Sequence, residues 1–292
     1  MAVRIRDLHG IDDYRAVVEL EQAIWGYTDW SDVITVPVFI ITMKRGGILV
    51  GAFDDSDRVV GFAFSIVGIK DGKPTQWSHM MGVLEEHRQG GLGRLLKLAQ
   101  RDRALAAGFD LMEWTFDPLQ ALNAHLNFTR LGVVCDEYVE NVYGESTSVL
   151  HRGTPTDRFV VEWWMRKPHV ERRIAADRAS AVSVRSEAAA HAPMANQTTL
   201  VGEFRTPASA DLALDTTRVW VEVPPRFTEM QQQAPELARE WRFHTRDIFE
   251  AYFGRGYRAV DFELQRERGG GRYLLALGND GARAEARAHI VD

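Results

Sequence analysis

Apolar positions in the first 120 residues follow two spacings, and each change of spacing marks a predicted element. Apolar residues three or four positions apart indicate amphipathic helices, whereas short apolar runs between turn-forming residues indicate strands. In chain order the pattern predicts helices at 11–25 and 36–45 and strands at 48–53, 59–69 and 77–83. Turns rich in Asp, Gly, Ser and Lys join these strands, so the sheet is expected to begin as antiparallel hairpins.

A glycine-rich segment follows the third strand and reads Arg88-Gln89-Gly90-Gly91-Leu92-Gly93-Arg94. An amphipathic helix is predicted directly after it, over 95–107. Glycines carry no side chain that would keep a ligand away from the backbone, and the N–H groups of a helix N-terminus attract anions. The segment therefore predicts a binding site for a diphosphate.

Two common nucleotide-binding motifs fit this segment poorly. A P-loop needs Lys and then Ser or Thr after its last glycine, where this chain has Arg94 and Leu95. A dinucleotide-binding GxGxxG motif that starts at Gly91 would need a third glycine at Leu96. A nucleotide-dependent enzyme and a glycine-rich turn without a ligand stay open as alternatives.

The predicted elements after this helix continue the alternation of strands and helices. A strand is predicted at 111–116 and a helix at 118–131, each preceded or ended by a glycine. The spacing Arg88-x-x-Gly91-x-Gly93, with Asn123-Ala124 and the run from Phe128 to Val133, resembles the motifs of the GNAT superfamily of N-acyltransferases. The resemblance covers about residues 3–166. It implies the GNAT fold, an α/β architecture with a mixed, mostly antiparallel central sheet flanked by helices.

The resemblance also implies which residues bind the expected co-substrate, acetyl-CoA or another acyl-CoA. Backbone groups of the third strand would pair with the pantetheine, the glycine-rich segment would bind the diphosphate, and the later helix would lie against the pantetheine. The implied residues are Met81, Gly82, Val83, Arg88, Gln89, Gly90, Gly91, Leu92, Gly93, Arg94, Asn123 and Phe128. Lys97 and Arg101, in contrast, are interpreted as part of a solvent-exposed helix face.

The candidate catalytic groups are a histidine and a tyrosine. Side chains alternate along a strand, so positions 77, 79, 81 and 83 are expected to share one face. His79 on that face is the candidate general base, because imidazole titrates near neutral pH. Many GNAT enzymes use a Tyr as general acid at the position of Phe128, so here water or another phenol is expected to donate the proton. Tyr143 and Tyr138 are the candidates.

The second half of the chain repeats the pattern faintly. Segment 256–262 matches 108–114 class for class, after a predicted strand at 218–223 and a predicted helix at 236–253. Prolines at 224 and 225 stand where the first half has its glycines, so no CoA binding is expected there. We predict a catalytic domain at 1–168, a linker or polar helix at 169–196 and a degenerate GNAT-like domain at 197–292.

Composition narrows the remaining classes of function. The chain has 292 residues, of which 45% are hydrophobic and 26% charged, with a net charge of -6. This is typical of a soluble globular protein and argues against a nucleic-acid partner. No apolar run is long enough to span a bilayer, the N-terminus lacks a signal-peptide core, and Cys135 is the single cysteine. We therefore expect a cytoplasmic location and no membrane partner, and, since the histidines lack HxH or HxxxH spacing, no metal.

These observations predict an acyl-CoA-dependent N-acyltransferase that acts by direct transfer in a ternary complex. The expected acceptor is the amine of a small molecule such as an amino acid, and the transferred group is acetyl or succinyl. Succinyl enters because segments 114–119, 141–144 and 155–159 resemble a branch of predicted GNAT acyltransferases of about this length, some of which are thought to use succinyl-CoA. An inactive acyl-CoA-binding sensor or scaffold is the alternative, and a homodimer is a further expectation.

Overall fold

The computed structural model describes residues 3–27, 29, 32–88, 90–144, 154–176, 187–265 and 270–278. These residues form two compact units. The first comprises the described residues up to 115 together with 162–168, and the second comprises 116–144, 154–161 and the described residues from 169 onward.

The first unit is a twisted sheet with helices on both faces. In chain order its elements are β1 (Arg4–Asp7), α1 (Ile11–Trp25), α2 (Val36–Met43), β2 (Ile48–Phe53), β3 (Val59–Lys70), β4 (Lys73–Val83), α3 (Leu92–Ala106) and β5 (Leu111–Phe116). The strands are ordered β1-β2-β3-β4-β5. Neighbours are antiparallel except for β4 and β5, which run parallel. A parallel pair joined by a helix places that helix on one face of the sheet.

Helices α1 and α2 cover the other face of this sheet through an apolar core. Tyr14, Val17 and Leu20 recur with helical spacing on α1 and are buried against Phe39 of α2 and Phe64 of β3. Phe39 meets Phe64 edge to face with ring centroids 4.8 Å apart. Helix α1 ends where Gly26 adopts the left-handed conformation and donates its N–H to Gln22.

The second unit contains a run of neighbouring strands and a separate hairpin. Its elements are α4 (Ala121–Ala124), which continues as a π-helix (His125–Leu131), then β6 (Val134–Val139), β7 (Arg158–Trp164), α5 (Pro168–Ala175), α6 (Glu187–Ala190), β8 (Asn196–Val201), β9 (Phe204–Ala210), β10 (Arg218–Val223), α7 (Phe227–Gln233), α8 (Pro235–Gly254), β11 (Tyr257–Gln265) and β12 (Gly270–Leu277). The strands are ordered β7-β6-β11-β12-β10, and β8 pairs with β9 alone.

A buried ion pair links the start of α4 to α8 within the second unit. The guanidinium of Arg242 donates to both carboxylate oxygens of Asp117 at 2.8 Å, and its side chain is only 1% exposed. Arg242 also lies over the ring of Phe227, 5.1 Å from its centroid. Because a buried charge is costly without a partner, each member of this pair stabilises the placement of the other.

The predicted fold class is confirmed, because mixed and mostly antiparallel sheets are flanked by helices. A second GNAT-like repeat is not confirmed. Strands β10 and β11 are each antiparallel to β12, so they are parallel to one another with β12 between them. In the first unit β4 and β5 pair directly. The domain boundaries predicted at 168 and 196 stay predictions. The two compact units divide the chain differently, because residues 116–144 group with the second unit. Among the described helices, none has the length and apolar character needed to cross a bilayer.

Candidate active site

The parallel strands β4 and β5 separate partway along their length. Cross-strand partners occur at two positions, where Gln76 faces Met112 and Trp77 faces Glu113. Lys70 fixes this closed end through an ion pair of 2.7 Å with Glu113. Residues 78–83 of β4 have no partner on β5, so alternate backbone groups along this edge are left for another partner. We call this opening the β4–β5 fork.

A β-bulge lies at the point where the fork opens. On the β3 side, Ser78 faces Ser65 and Met80 faces Phe64, which leaves His79 as an extra residue without a partner. The bulge shifts the alternation of side chains by one position. The prediction that positions 77, 79, 81 and 83 share a face is therefore wrong, because the β3 partners of Trp77 and Met81 point to opposite faces.

The glycine-rich segment forms the N-terminus of α3 beside the fork. Gly90 and Gly91 have φ values of 119° and 85°, a backbone conformation that favours glycine. Gly91 is the N-cap, and the first intrahelical bond runs from Leu95 N–H to its carbonyl at 3.2 Å. The earlier N–H groups of the helix, starting at Leu92, have no intrahelical acceptor by geometry. They point outward at the positive end of the helix dipole.

Arg88 lies between the fork and the helix N-terminus. Its Nε donates to the carbonyl of Val83 at 3.1 Å, so the last residue of β4 and the glycine-rich segment are held together. Gly93 and Arg94 lie in the first turn of α3, and Met81, Gly82 and Val83 form the last part of the open β4 edge. Gln89 lies outside the described residues. The other cofactor-binding residues predicted in 81–94 are thus adjacent in the first unit.

Gly82 is required by packing on the α1 face of the sheet. A Cβ added to Gly82 would lie 2.6 Å from Trp25 and 2.7 Å from Ile24, closer than side-chain atoms approach. Helix α1 therefore packs directly on the backbone of β4. This contact explains the glycine at position 82 without a ligand, and the cofactor-binding role implied for Gly82 stays a prediction.

His79 lies on the α1 and α2 face of the sheet at the bulge. Its ring meets Phe64 edge to face at 6.4 Å, and the side chain is exposed. Desolvation by the surrounding protein atoms lowers the pKa of His79. An imidazole with lowered pKa is neutral at neutral pH and can accept a proton.

A buried lysine lies on the opposite face, where α3 covers the fork. The ammonium of Lys97, 2% exposed, donates to Ser78 Oγ at 2.7 Å and to Gln100 Oε1 at 3.4 Å. It also lies 3.6 Å from the ring centroid of Trp114 on β5. No carboxylate pairs with Lys97 among the described residues, and burial lowers its pKa well below the ordinary value. We call these four residues the Lys97 cluster.

The Lys97 cluster presents hydrogen-bond donors and no negative charge. Ser78 donates to Gln100 Oε1 at 2.9 Å, and Lys97 donates to the same oxygen, which fixes the orientation of the amide. The amide nitrogen of Gln100 is then left buried without a hydrogen-bond acceptor. A buried amine that lacks a counter-ion, beside an unsatisfied N–H donor, is chemically suited to an anion.

The interpretation of Lys97 and Arg101 as an exposed helix face is wrong. Arg101 is 9% exposed and donates to the carbonyl of Met165 at 2.8 Å. Positions 97, 101 and 104 are separated by one helical turn and form a buried stripe of α3. The helical spacing of these positions indicates a buried stripe, whereas the charges of Lys97 and Arg101 favour an exposed face.

Three of the predicted site residues, Phe128, Asn123 and Tyr143, belong to the second unit. Phe128 is fully buried between the rings of Phe116 and Tyr273, at 6.2 and 5.5 Å. Asn123 is exposed on α4, and Tyr143 is exposed with its ring 5.3 Å from the guanidinium of Arg158. Their roles stay predictions.

Tyr138 is held as a structural donor in the second unit. Its hydroxyl donates to Asp157 at 2.6 Å, and burial together with Asp157 raises the pKa of Tyr138.

Cys135 is buried, and burial raises the pKa of its thiol well above the ordinary value, which disfavours a nucleophilic thiolate. Within the described ranges no three His, Cys, Asp or Glu side chains converge as a metal site requires.

The strand and helix order along the chain, with a parallel pair that opens beside a glycine-capped helix N-terminus, matches the fold predicted from the GNAT resemblance. The first unit thus has the fold that the sequence resemblance implied.

Solved structures similar to this chain include several GNAT proteins. The NatC complex bound to Gag peptide and CoA has a TM-score of 0.46 at 11% identity, over 56% of this chain and 99% of that one. A GNAT acetyltransferase from Streptococcus pneumoniae has a TM-score of 0.44 at 16% identity, over 55% and 98%. YncA, a putative acetyltransferase from Salmonella typhimurium with acetyl-CoA, has 0.43 at 18%, over 57% and 96%. No family model and no curated protein matches.

Proposed function

We propose that the protein is an acyl-CoA-dependent N-acyltransferase that acts on the amine of a small molecule, with an amino acid as the favoured acceptor. The observation that carries the proposal is the β4–β5 fork, which opens next to the Gly91-capped N-terminus of α3. The fork offers unpaired strand backbone to an extended amide-containing arm, and the helix end offers N–H groups to a diphosphate. CoA carries both chemical groups in this order.

Each part of acyl-CoA has a counterpart in the first unit. The diphosphate binds the N–H groups after Gly91, with Arg88 beside it. The pantetheine amides pair with the open edge of β4, as an added strand would. A backbone N–H in the segment 81–83 then donates to the thioester carbonyl oxygen and polarises it. The strand fixes the direction of this N–H before the substrate binds, so no reorganisation is needed.

The acyl transfer needs one proton to move from nitrogen to sulfur. After the amine attacks the thioester carbon, the nitrogen carries a positive charge and the C–S bond breaks. His79, neutral and exposed at the bulge, takes the proton from nitrogen and returns it to the leaving thiolate. Replacing His79 by Gln should lower kcat about 100-fold, while CoA affinity measured by calorimetry stays unchanged. The exposed His9→Gln variant serves as the control, and an unchanged kcat for H79Q would remove His79 from the mechanism.

A pair of glycine variants tests the CoA site itself. Gly91→Ala adds a methyl group at the helix N-cap, and we expect the Kd for CoA to rise at least about tenfold because diphosphate contacts are lost. Gly72→Ala is the matched control, since Gly72 has a similar φ of 75° in the turn before β4. Both variants carry the same backbone strain of about 1–2 kcal/mol. Equal Kd values for the two variants, measured by calorimetry, would argue against the helix N-terminus as the diphosphate site.

The Lys97 cluster supports an acidic acyl group on the donor. Ser78 follows directly after the last paired residue of β4, so the cluster lies at the closed end of the fork. A carboxylate at the far end of the acyl chain would give Lys97 a counter-ion and Gln100 an acceptor. These contacts favour succinyl over acetyl as the transferred group.

The alternative function, an inactive acyl-CoA-binding sensor, makes the same binding prediction but a different kinetic one. Release of free thiol from acetyl-CoA and succinyl-CoA, followed with a panel of amino acids, separates the two. Amine-dependent thiol release supports the enzyme. Tight acyl-CoA binding without release for any amine supports the sensor.

A further inference from the structure

A buried carboxyl group on α1 has no role in the function proposed above. The side chain of Glu21 is 0% exposed. One oxygen, Oε2, accepts the backbone N–H of Ile34 at 2.9 Å. The other, Oε1, is buried and has no hydrogen-bond partner in the part of the chain that the structure describes. A buried acceptor without a donor loses the hydrogen bonds it would make to water, so it is unusual in a folded protein.

Glu21 lies on the face of α1 that packs against β4. It follows Val17 by one turn and precedes Trp25 by one turn, and Trp25 and Ile24 touch the backbone at Gly82. This is the sheet face opposite α3, because α3 covers the side of Ser78 and Lys97. Since the diphosphate occupies the α3 end of the site, the acceptor amine must approach the thioester from the α1 face. Glu21 lies on that face.

Within the described ranges, no basic side chain forms an ion pair with Glu21. The elements packed against α1 are α2, β3 and β4, and the segment before α2 reaches it through Ile34. The described titratable residues of that segment are Tyr27, Asp29 and Asp32. Helix α2 carries no titratable residue, and the titratable residues of the two strands are Lys70, Lys73 and His79. Lys70 is paired with Glu113 and Glu162. The pKa of Glu21 is set by burial, which raises it, and by the Ile34 N–H, which lowers it, and it lies at about 7.

The missing group at Oε1 must be a hydrogen-bond donor that tolerates an apolar surrounding and neutralises a carboxylate. The core cluster along this part of α1 includes the apolar side chains of Leu20, Ile24 and Ile34. A primary ammonium meets both conditions, and the acceptor of an N-acyltransferase arrives in that form at neutral pH. To reach Oε1 the ammonium must displace apolar side chains that close off the carboxyl group.

We propose that Glu21 Oε1 binds the ammonium group of the acceptor and removes one proton from it, an inference that rests on the proposed function. The ammonium becomes a neutral amine and Glu21 becomes a carboxylic acid. The amine then attacks the thioester carbon, the C–S bond breaks, and the second proton passes from nitrogen to the thiolate through His79. The proton on Glu21 is released to solvent with the amide product, which balances the reaction.

The pH dependence follows from the sign of this step. Only ionised Glu21 accepts a proton, and its ionised fraction rises with pH through about 7. The kcat/KM for a protonated acceptor should therefore rise with pH through this range. In Glu21→Gln this rise should be replaced by one that follows the free-amine fraction of the acceptor itself.

The decisive experiment compares two acceptors of the same shape in the Glu21→Gln variant. One is a primary amine that is protonated at pH 7, and the other is a hydrazide or alkoxyamine that is neutral. Gln is isosteric and still accepts the Ile34 N–H, so α1 and the following loop keep their tie. We expect kcat/KM to fall about 100-fold for the protonated acceptor and to change little for the neutral one. Glu19→Gln, an exposed residue of the same helix, is the control.

Three results would overturn the proposal or its basis. Equal losses for both acceptors would show that Glu21 only holds the structure, which a lowered melting temperature of the variant would corroborate. Unchanged kinetics for both acceptors would show that it has no role. No thiol release by the unmodified protein with any acceptor would overturn the proposed function, and this inference with it.

Discussion

The Lys97→Met variant should lose the use of succinyl-CoA while it keeps the use of acetyl-CoA. We expect kcat/KM for succinyl-CoA to fall about 10- to 100-fold, the value of one or two charge-assisted hydrogen bonds. Met has a similar length and is apolar, so the volume beside Trp114 stays filled. Thiol release from the two donors, with one amino acid as acceptor, measures the effect.

The melting temperature of Lys97→Met shows whether the substitution removes a contact with the donor or destabilises the fold. Lys97 is buried without a carboxylate and its pKa is lowered by desolvation, so its charged form is costly in the folded state. Removing that charge should leave the melting temperature unchanged or raised. Lys73→Met, at an exposed position of β4, is the control. A preference of the unmodified protein for acetyl-CoA that Lys97→Met leaves unaltered would contradict the donor assignment.

Asp117→Ala should be the most destabilising single change among the ion pairs described above. It leaves the guanidinium of Arg242, 1% exposed, without its counter-ion, and we expect the free energy of unfolding to fall by about 3–5 kcal/mol. The variant also removes the acceptor for the Leu119 N–H. Urea denaturation at pH 7 measures the loss. Glu229→Ala, which breaks a more exposed pair with Arg226, should change stability by about 0.5 kcal/mol or less.

Acid should reduce the difference between Asp117→Ala and the unmodified protein. Burial raises the pKa of Asp117, but the adjacent Arg242 more than offsets this, so the net pKa lies below the ordinary value. A carboxylate with lowered pKa stabilises the fold above the unfolded-state pKa of about 3.9 and loses that contribution as pH falls through its folded-state value. Constant destabilisation from pH 7 down to pH 3 would contradict the ion-pair explanation.

Most element boundaries of the first unit could be predicted because local sequence signals mark them. Helix α1 and strands β2 and β5 begin and end at the predicted residues, since Gly26, the turn at 54–57 and Gly108 interrupt the apolar patterns. Strand β4 is longer than predicted because its first residues, from Lys73, are polar and pair only through the hairpin.

The features that sequence did not predict depend on pairing between distant segments. The bulge at His79 comes from the register of β3 against β4, and no local pattern marks it. The position of β12 between β10 and β11 is likewise a matter of topology. The π-helix after α4 also departs from the regular helix that the apolar spacing predicted.

The sequence predicted the backbone features of the candidate site, but it did not predict the buried polar side chains. The glycines at 90 and 91 predict a helix N-terminus, and α3 begins there. Glu21 and Lys97 each lie on the apolar stripe of an otherwise ordinary amphipathic helix. Helical spacing alone would have placed both in the interior, but nothing in the sequence says that neither has an oppositely charged partner.

The absence of a side chain at position 82 makes α1 and β4 a single mechanical element. Trp25 and Ile24 fill the space above the Gly82 backbone, so α1 cannot slide along β4 without steric conflict. Substrate entry on that side must therefore come from rotation of individual side chains rather than from helix displacement. Under the proposed function, attempts to enlarge the acceptor range would accordingly do better to trim side chains of α1 than to add a side chain at position 82.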